Sequence, residues 1–237
     1  DFFRRFYHPS NASLSIAGDI EYDRTLEMVE KYFGGLPPGN PVQRFGQYAS
    51  SLPGRIELEI SDNVTLPRVY IAWPTPPGFT KEDPALELLS EACSDLGSRL
   101  FMRIREELGL AYFVGAQSQP GLTPGFFAFY AGTSPEAVWQ VEEELLNEAG
   151  KLRDIGLSED ELRRAKAKII GQKKIARQDL GGLAVTMGLD ELFGLGYDAS
   201  DHDHEKYEAI TVEQTRDVAA KYFQPASCVV AVSHPPV

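Results

Sequence analysis

Arg105 and Tyr112 are the residues with the most to offer chemically. They lie in the run Gly97-Ser98-Arg99-Leu100-Phe101-Met102-Arg103-Ile104-Arg105-Glu106-Glu107-Leu108-Gly109-Leu110-Ala111-Tyr112. Leu100 or Phe101, Ile104 and Leu108 recur at helical spacing and Gly109 closes the helix, so the chain turns directly into a strand. Arg105 in the last turn and Tyr112 at the start of the strand can then project toward one shared space. A guanidinium and a phenol both donate hydrogen bonds to an oxygen on which negative charge develops, such as a peptide carbonyl or a tetrahedral oxyanion. The plainer reading of the same residues is a C-terminal cap and a strand aromatic.

Other candidates are weaker. A zinc peptidase needs two histidines on one helical face with an acid beside them, because the metal takes neutral imidazoles and the acid activates its water. The four histidines, His8, His202, His204 and His234, form neither HExxH nor HxxEH. Asp201-His202-Asp203-His204-Glu205 alternates in a polar loop, a pattern more in keeping with a solvated turn than a cation clamp. Gly194-x-Gly196-x-x-Ala199 follows a helix and precedes a polar loop, whereas a dinucleotide fingerprint needs a strand and then a helix. There is no GxSxG elbow or GKS/T loop, and neither Cys93 nor Cys228 has a histidine close in sequence; Cys93, on an apolar helix face, reads as core. Arg163, Arg164, Lys166, Lys168, Lys173, Lys174 and Arg177 complement the dipole of their helix and read as its solvated side.

The whole chain of 237 residues, 43% hydrophobic and 24% charged, has the composition of a folded protein of one or two domains. With 23 Lys+Arg against 35 Asp+Glu its net charge of -12 repels phosphate backbones, which argues against nucleic acid or an anionic membrane as partner. No window approaches 18 consecutive apolar residues, so no membrane insertion is expected. Two isolated cysteines exclude a disulfide framework and a cysteine-based zinc site. The chain begins at Asp1 and runs into aromatic, strand-forming sequence, which suggests a piece of a longer polypeptide.

Patterning predicts the elements that must position the pair. Leu14 to Ala17 reads as a strand and Leu26, Val29 and Phe33 as a helix stopped by Gly34-Gly35. Residues 37–54 carry Pro37-Pro38-Gly39 and Pro41 without sustained periodicity and read as a linker. Strands follow at Ile56 to Ile60 and Val69 to Trp73, then helices through Leu86, Leu89, Cys93 and Leu96 and through Leu100 to Leu108. Tyr112 to Ser118 and Phe126 to Gly132 are strands. Ser134-Pro135-Glu136, Ser158-x-x-Glu161 and Thr211-x-x-Gln214 open helices, and Cys228 to Val232 is a last strand. Strand pairs separated by long helices point to an α+β fold, a mostly antiparallel sheet with helices packed on one face.

One internal comparison bears on organisation. Arg5-Phe6-Tyr7-His8-Pro9-Ser10-Asn11-Ala12-Ser13-Leu14-Ser15-Ile16 overlays Lys221-Tyr222-Phe223-Gln224-Pro225-Ala226-Ser227-Cys228-Val229-Val230-Ala231-Val232 without a gap. Both read basic, aromatic, aromatic, polar, proline, strand. Residues 1–36 are then expected to be the last strand and helix of one domain, 37–54 a linker, and 55–237 a second domain of the same kind.

Ser98-Arg99-Leu100-Phe101 with Arg105-Glu106-Glu107-x-Gly109-Leu110-Ala111-Tyr112 resembles the signature of the C-terminal half of the pitrilysin/insulinase family of zinc metallopeptidases, which includes the mitochondrial processing peptidase. Tyr7 through Ala12, Gly18-Asp19 and Glu30-Lys31-Tyr32-Phe33-Gly34 resemble it too, and the likeness covers nearly the whole chain. It implies homologous α+β domains of the LuxS/processing-peptidase-like kind, forming half of a clamshell around a peptide. It further implies that Arg105 and Tyr112, seven residues apart, bind substrate opposite a metal. HxxEH is absent here, so the expectation is no zinc bound by this chain, no hydrolysis by it alone, and zinc held by an HxxEH-bearing homologous domain or subunit as partner. The alternative that the resemblance leaves is a non-proteolytic structural or binding homologue, like the core subunits of the bc1 complex. The expected setting is a soluble one, bacterial periplasm or cytoplasm.

Overall fold

The computed structural model describes residues 1–40, 52–61 and 63–236. The part of the expected linker between 41 and 51 lies outside the described residues. In chain order the elements are α1 (Phe2–Phe6), α2 (Tyr22–Phe33), β1 (Ile56–Ser61), β2 (Arg68–Pro77), α3 (Asp83–Ala92), a π-helical turn (Phe101–Glu107), β3 (Ala111–Gln119), β4 (Pro124–Thr133), α4 (Val138–Asp154), α5 (Glu159–Ala176), α6 (Leu180–Leu192), α7 (Asp203–Glu208), α8 (Val212–Tyr222) and β5 (Val229–His234). Two compact units result. One holds the described residues to 40 together with Ile170–Glu205, and the larger holds those from 52 to 169 and from 206 onward.

The larger unit is built on one five-stranded sheet of order β1-β5-β2-β4-β3. Its pairs are antiparallel except β1 with β5, which run parallel from Ile56 opposite Val229 to Ser61 opposite His234. The fold is therefore the expected α+β, with one parallel edge pair. Alternation decides which side is covered: Val69, Ile71 and Trp73 of β2 are buried while Tyr70 and Ala72 between them stay half-exposed. Helices α4 and α8 pack against β2 and each other, and α3 lies against β3 and α8. Trp73, Phe127, Phe129 and Phe223 form the aromatic centre, with Phe127 and Phe223 centroids 4.6 Å apart and the Trp73 indole N–H donating to the Gln224 carbonyl at 3.1 Å. The predicted apolar face of α4 is the one buried, through Val141, Leu145, Ala149 and Leu152.

Helix starts follow their sequence signals closely. Thr211 and Gln214 form a reciprocal capping box at α8. Ser158 and Glu161 do the same at α5, where Ser158 N donates to the Glu161 carboxylate at 2.8 Å and Glu161 N donates to Ser158 Oγ at 3.3 Å. At Ser134 the path differs: a single 3-10 turn, Pro135–Ala137, precedes α4, and Ser134 makes no side-chain cap.

Three expectations are corrected. The aromatic stretch at the start is helical, because Phe2 with Phe6 and Phe3 with Tyr7 stand four apart and meet at 4.6 Å, a contact that strand geometry would forbid. Residues Leu14 to Ala17 are extended without strand pairing, since their own compact unit holds no described strand to supply a ladder. The helix through Leu86 ends at Ala92 and leaves Leu96 exposed. Ser94 Oγ turns back to the Ser90 carbonyl and across to β3 at Ala116, and Asp95 accepts from Gly97 N, so short polar side chains replace the next helical turn. In the internal overlay, α1 ends at Phe6 and α8 at Tyr222, the two positions that it pairs.

Candidate functional site

The segment from Ser98 to Tyr112 departs from regular geometry twice, and each departure carries one of the two residues. Ser98 Oγ accepts from Phe101 N at 3.2 Å and starts the turn, Leu100 and Ile104 are fully buried beneath it, and Leu108 N reaches five residues back to the Arg103 carbonyl at 3.2 Å. This wider π winding, rather than the α-helix that the spacing predicts, holds Arg105; single π turns are recurrent at functional sites. Gly109 then takes φ +64°, Gly109 N donates to the Arg105 carbonyl at 3.1 Å and Leu110 N to that of Ile104 at 2.9 Å, closing the helix. Thr133 Oγ1 donates to the Leu110 carbonyl at 2.6 Å and fixes the entry into β3.

Tyr112 is the second irregularity. Ala111 pairs with Thr133 and Phe113 with Gly132, so Tyr112 is an extra residue without a partner, a bulge in an edge strand. Bulges re-aim side chains, and Tyr112 is 74% exposed. The Arg105 guanidinium lies 6.0 Å from the Tyr112 ring centroid and 4.9 Å from that of Phe101. The Glu106 carboxylate lies 4.0 Å from Arg105 Nε, and the Arg105 side chain is 42% exposed. The structure thus brings the two residues together, facing solvent, with donor capacity left over for a ligand oxygen.

Behind Tyr112 the open face of the sheet is aromatic. Tyr130 stands 6.0 Å from Tyr70 and 6.3 Å from Phe113, centroid to centroid. Gly132 makes room for this packing, because a Cβ there would fall 2.3 Å from the Phe113 ring.

Three ion pairs, made by two arginines, hold the turn, and no local pattern in the sequence indicates the two that reach α4 and α5. Arg99 Nε donates to Glu161 Oε1 at 2.8 Å and Nη2 to Oε2 at 2.7 Å, with side chains only 17% and 14% exposed. Burial works against charge on both partners, and the hydrogen bonds between them outweigh it: the Arg99 pKa lies above and the Glu161 pKa below its ordinary value. Arg103 donates to Glu144 of α4 at 3.2 Å and to Glu107 at 3.1 Å. The signal was half visible, since Glu161 announces itself as a capping residue, but its second task depends on a chain crossing that no local pattern encodes.

The remaining candidates resolve into structure. Lys168 pairs with Glu91, Lys173 with Asp203 and Arg177 with Asp201, while Lys166 donates to the Glu208 and Ile210 carbonyls, so these cations bind the fold's own acceptors. Asp201 and Asp203 are thereby engaged, and His202 lies 3.5 Å from Glu205 on the surface. Among the described residues no group of three or more His, Cys, Asp or Glu side chains is placed to hold a metal ion. Cys93 and Cys228 are buried and free; burial pushes the Cys93 thiol up to about 12 and raises Cys228 as well. Among the described residues no helix is long and apolar enough to cross a membrane.

The chain belongs to the peptidase M16 family: residues 1–169 match the model described as the peptidase M16 inactive domain. An uncharacterized zinc protease of Streptomyces coelicolor is 28% identical over 228 residues, covering 92% of this chain and 49% of the relative. The structure of a peptidase M16 inactive domain from Pseudomonas fluorescens superposes with a TM-score of 0.82 at 19% identity, covering 93% of this chain and 52% of that one. A protease from Helicobacter pylori superposes at 0.83 with 17% identity, covering 92% and 54%. The chain thus spans about half the length of the relatives it matches. The likeness to the pitrilysin/insulinase peptidases read from the signature is borne out at the level of family and fold.

Proposed function

We propose that this chain is the substrate-binding, zinc-free part of a zinc metalloendopeptidase, and that Arg105 and Tyr112 contact the peptide across from a metal held by an HxxEH-bearing homologous domain or subunit. The observation that carries the reading is the meeting of Arg105 and Tyr112 on an exposed surface, one from a π turn and the other from a bulge. The length of the relatives, about twice this chain, supports a homologous domain in the same polypeptide. Among the described residues no group of three or more His, Cys, Asp or Glu is placed to hold a metal ion, and the roles proposed for this chain are binding and orientation. Arg105 holds a peptide carbonyl or oxyanion through a charge-assisted hydrogen bond, and the Tyr112 hydroxyl adds a neutral one.

The test is peptide hydrolysis by the full-length protein, with bound zinc quantified in parallel. Arg105→Ala should lower kcat by about 10²- to 10³-fold, the usual loss for a transition-state donor. Tyr112→Phe should lower it by about 5-fold, the worth of one neutral hydrogen bond. Folding and zinc content should stay as in the parent. Unchanged kinetics in both variants would remove the pair from the site, and a zinc-loaded protein that binds peptide without ever cleaving it would favour the non-proteolytic homologue.

A further inference from the structure

Arg99 belongs to the same segment as Arg105 yet makes its contacts elsewhere. Besides its two bonds to Glu161, its Nη2 donates to the Gly156 carbonyl at 3.2 Å. Glu161 in turn accepts from Ser158 N at 2.8 Å and from Ser158 Oγ at 2.9 Å. A single carboxylate therefore ties the start of the π turn, the loop before α5 and the first turn of α5 to one point.

Such a tie is not needed for stability alone. A buried ion pair is often matched or exceeded by apolar side chains of similar volume, because taking both charges out of water is costly. What the pair offers is direction. Leu100 and Ile104 seat the turn on the core, but apolar contacts are non-directional and leave rotation about the turn's own axis weakly defined. Two parallel hydrogen bonds between a planar guanidinium and a carboxylate fix an angle as well as a distance. The other tether, Arg103 to Glu144, has an Arg side chain 40% exposed and is correspondingly weaker. Any rotation of the turn moves Arg105 relative to Tyr112, which a different element, β3, carries.

We propose that Arg99 and Glu161 are positioning residues, whose largely covered bidentate pair sets the rotation of the Phe101–Glu107 turn and so holds Arg105 beside Tyr112. This rests on the reading of Arg105 and Tyr112 as substrate-binding residues, and it places the specificity of the arrangement one step outside the surface that the peptide touches.

The decisive experiment is a mutant cycle in the full-length protein, read by peptide hydrolysis. R99M/E161Q removes both charges while keeping a capping acceptor at residue 161. It should lower kcat by about 10- to 100-fold, the cost of an ångström-scale misplacement, with KM and zinc content unchanged. Adding Arg105→Ala to that background should then cost about 10-fold or less instead of the full factor, because a misplaced donor has little left to lose. A purely structural pair would leave the Arg105→Ala factor the same in both backgrounds, and that result overturns the proposal. If Arg105→Ala has no effect in the parent, the substrate-site reading itself falls and this proposal falls with it, by a recognisably different outcome. Should R99M/E161Q fail to fold, Arg99→Lys keeps the charge and loses the fork, and the same cycle is run on it with the same two results. Should the protein bind peptide without cleaving it, the cycle is read in Kd.

Discussion

Gly109 and Gly150 offer a test of the local geometry in which one substitution has opposite signs at two places. Gly109 sits at φ +64° with nothing within 4 Å of an added Cβ, so Gly109→Ala meets backbone strain and no clash. That strain is about 1 to 2 kcal/mol for a left-handed residue with a Cβ, offset by roughly 0.4 to 1 kcal/mol from the stiffer unfolded chain. The net loss is about 1 kcal/mol. Gly150 lies inside α4, where an added Cβ would touch only the end of the Arg153 side chain at 4.0 Å. Gly150→Ala should therefore stabilise by about 1 kcal/mol through helix propensity. For a protein of this size each should shift Tm by about 2 to 4 °C, downward for Gly109→Ala and upward for Gly150→Ala. The chain has two tryptophans, Trp73 and Trp139, both in the same compact unit as the two glycines, so selectively excited tryptophan fluorescence follows that unit's unfolding. Gly109→Asn should lie between Gly109→Ala and the parent, since asparagine tolerates the left-handed region. If Gly109→Ala were neutral or stabilising, the left-handed closure of the π turn would be refuted, and with it the path by which Arg105 and Tyr112 come together.

Glu161 has a folded pKa below its ordinary value, so the stability it contributes is present above the unfolded carboxylate pKa of about 4.3 and is lost as pH falls through the folded value. Glu161→Gln should accordingly be less stable than the parent at pH 7, with the difference narrowing in denaturant titrations at successively lower pH below about 4; a gap independent of pH would show that the carboxylate's charge is not the stabilising feature. Cys93 and Cys228 should resist thiol-specific reagents in the native protein and react with both equivalents once it is unfolded, and rapid native labelling of Cys93 would contradict its burial.

Local contacts are legible in the residues themselves. The capping boxes at Thr211 and Ser158, the buried face of α4 and the glycine closure at 109 all follow from spacing within one turn or one helix. The α+β class and the mainly antiparallel sheet followed from the order of these elements. What escaped depends on partners distant in sequence or on mixed signals. Phe2, Phe3, Phe6 and Tyr7 are strand-forming types, but their i, i+4 ring contacts favour a helix once no neighbouring strand competes. The π winding leaves no trace in periodicity, since Leu100, Ile104 and Leu108 fit an α-helix equally well. The Tyr112 bulge is a mismatch between two strands, visible only when β4 is laid beside β3. Arg99 and Glu161 are 62 residues apart, and nothing near either one names the other.

The place of β5 in the sheet sets an order of events during synthesis. β2, β4 and β3 are neighbours in the sheet, β3 and β4 joined by a short turn and β2 reaching them through α3 and the π turn, and all three can pair once Thr133 has left the ribosome. β1 cannot join them, because its partner among the described strands is β5, which also covers the free side of β2 and is made about 95 residues after β4. Until Val229–His234 emerges, β1 has an apolar row of Ile56, Leu58 and Ile60 with no ladder, and β2 has a bare edge. A nascent or prematurely terminated chain that stops short of residue 229 is therefore a three-stranded sheet with an open flank and a loose hydrophobic strand. That species is open to edge-to-edge aggregation at β2, and Val229–His234 is the strand that closes this flank.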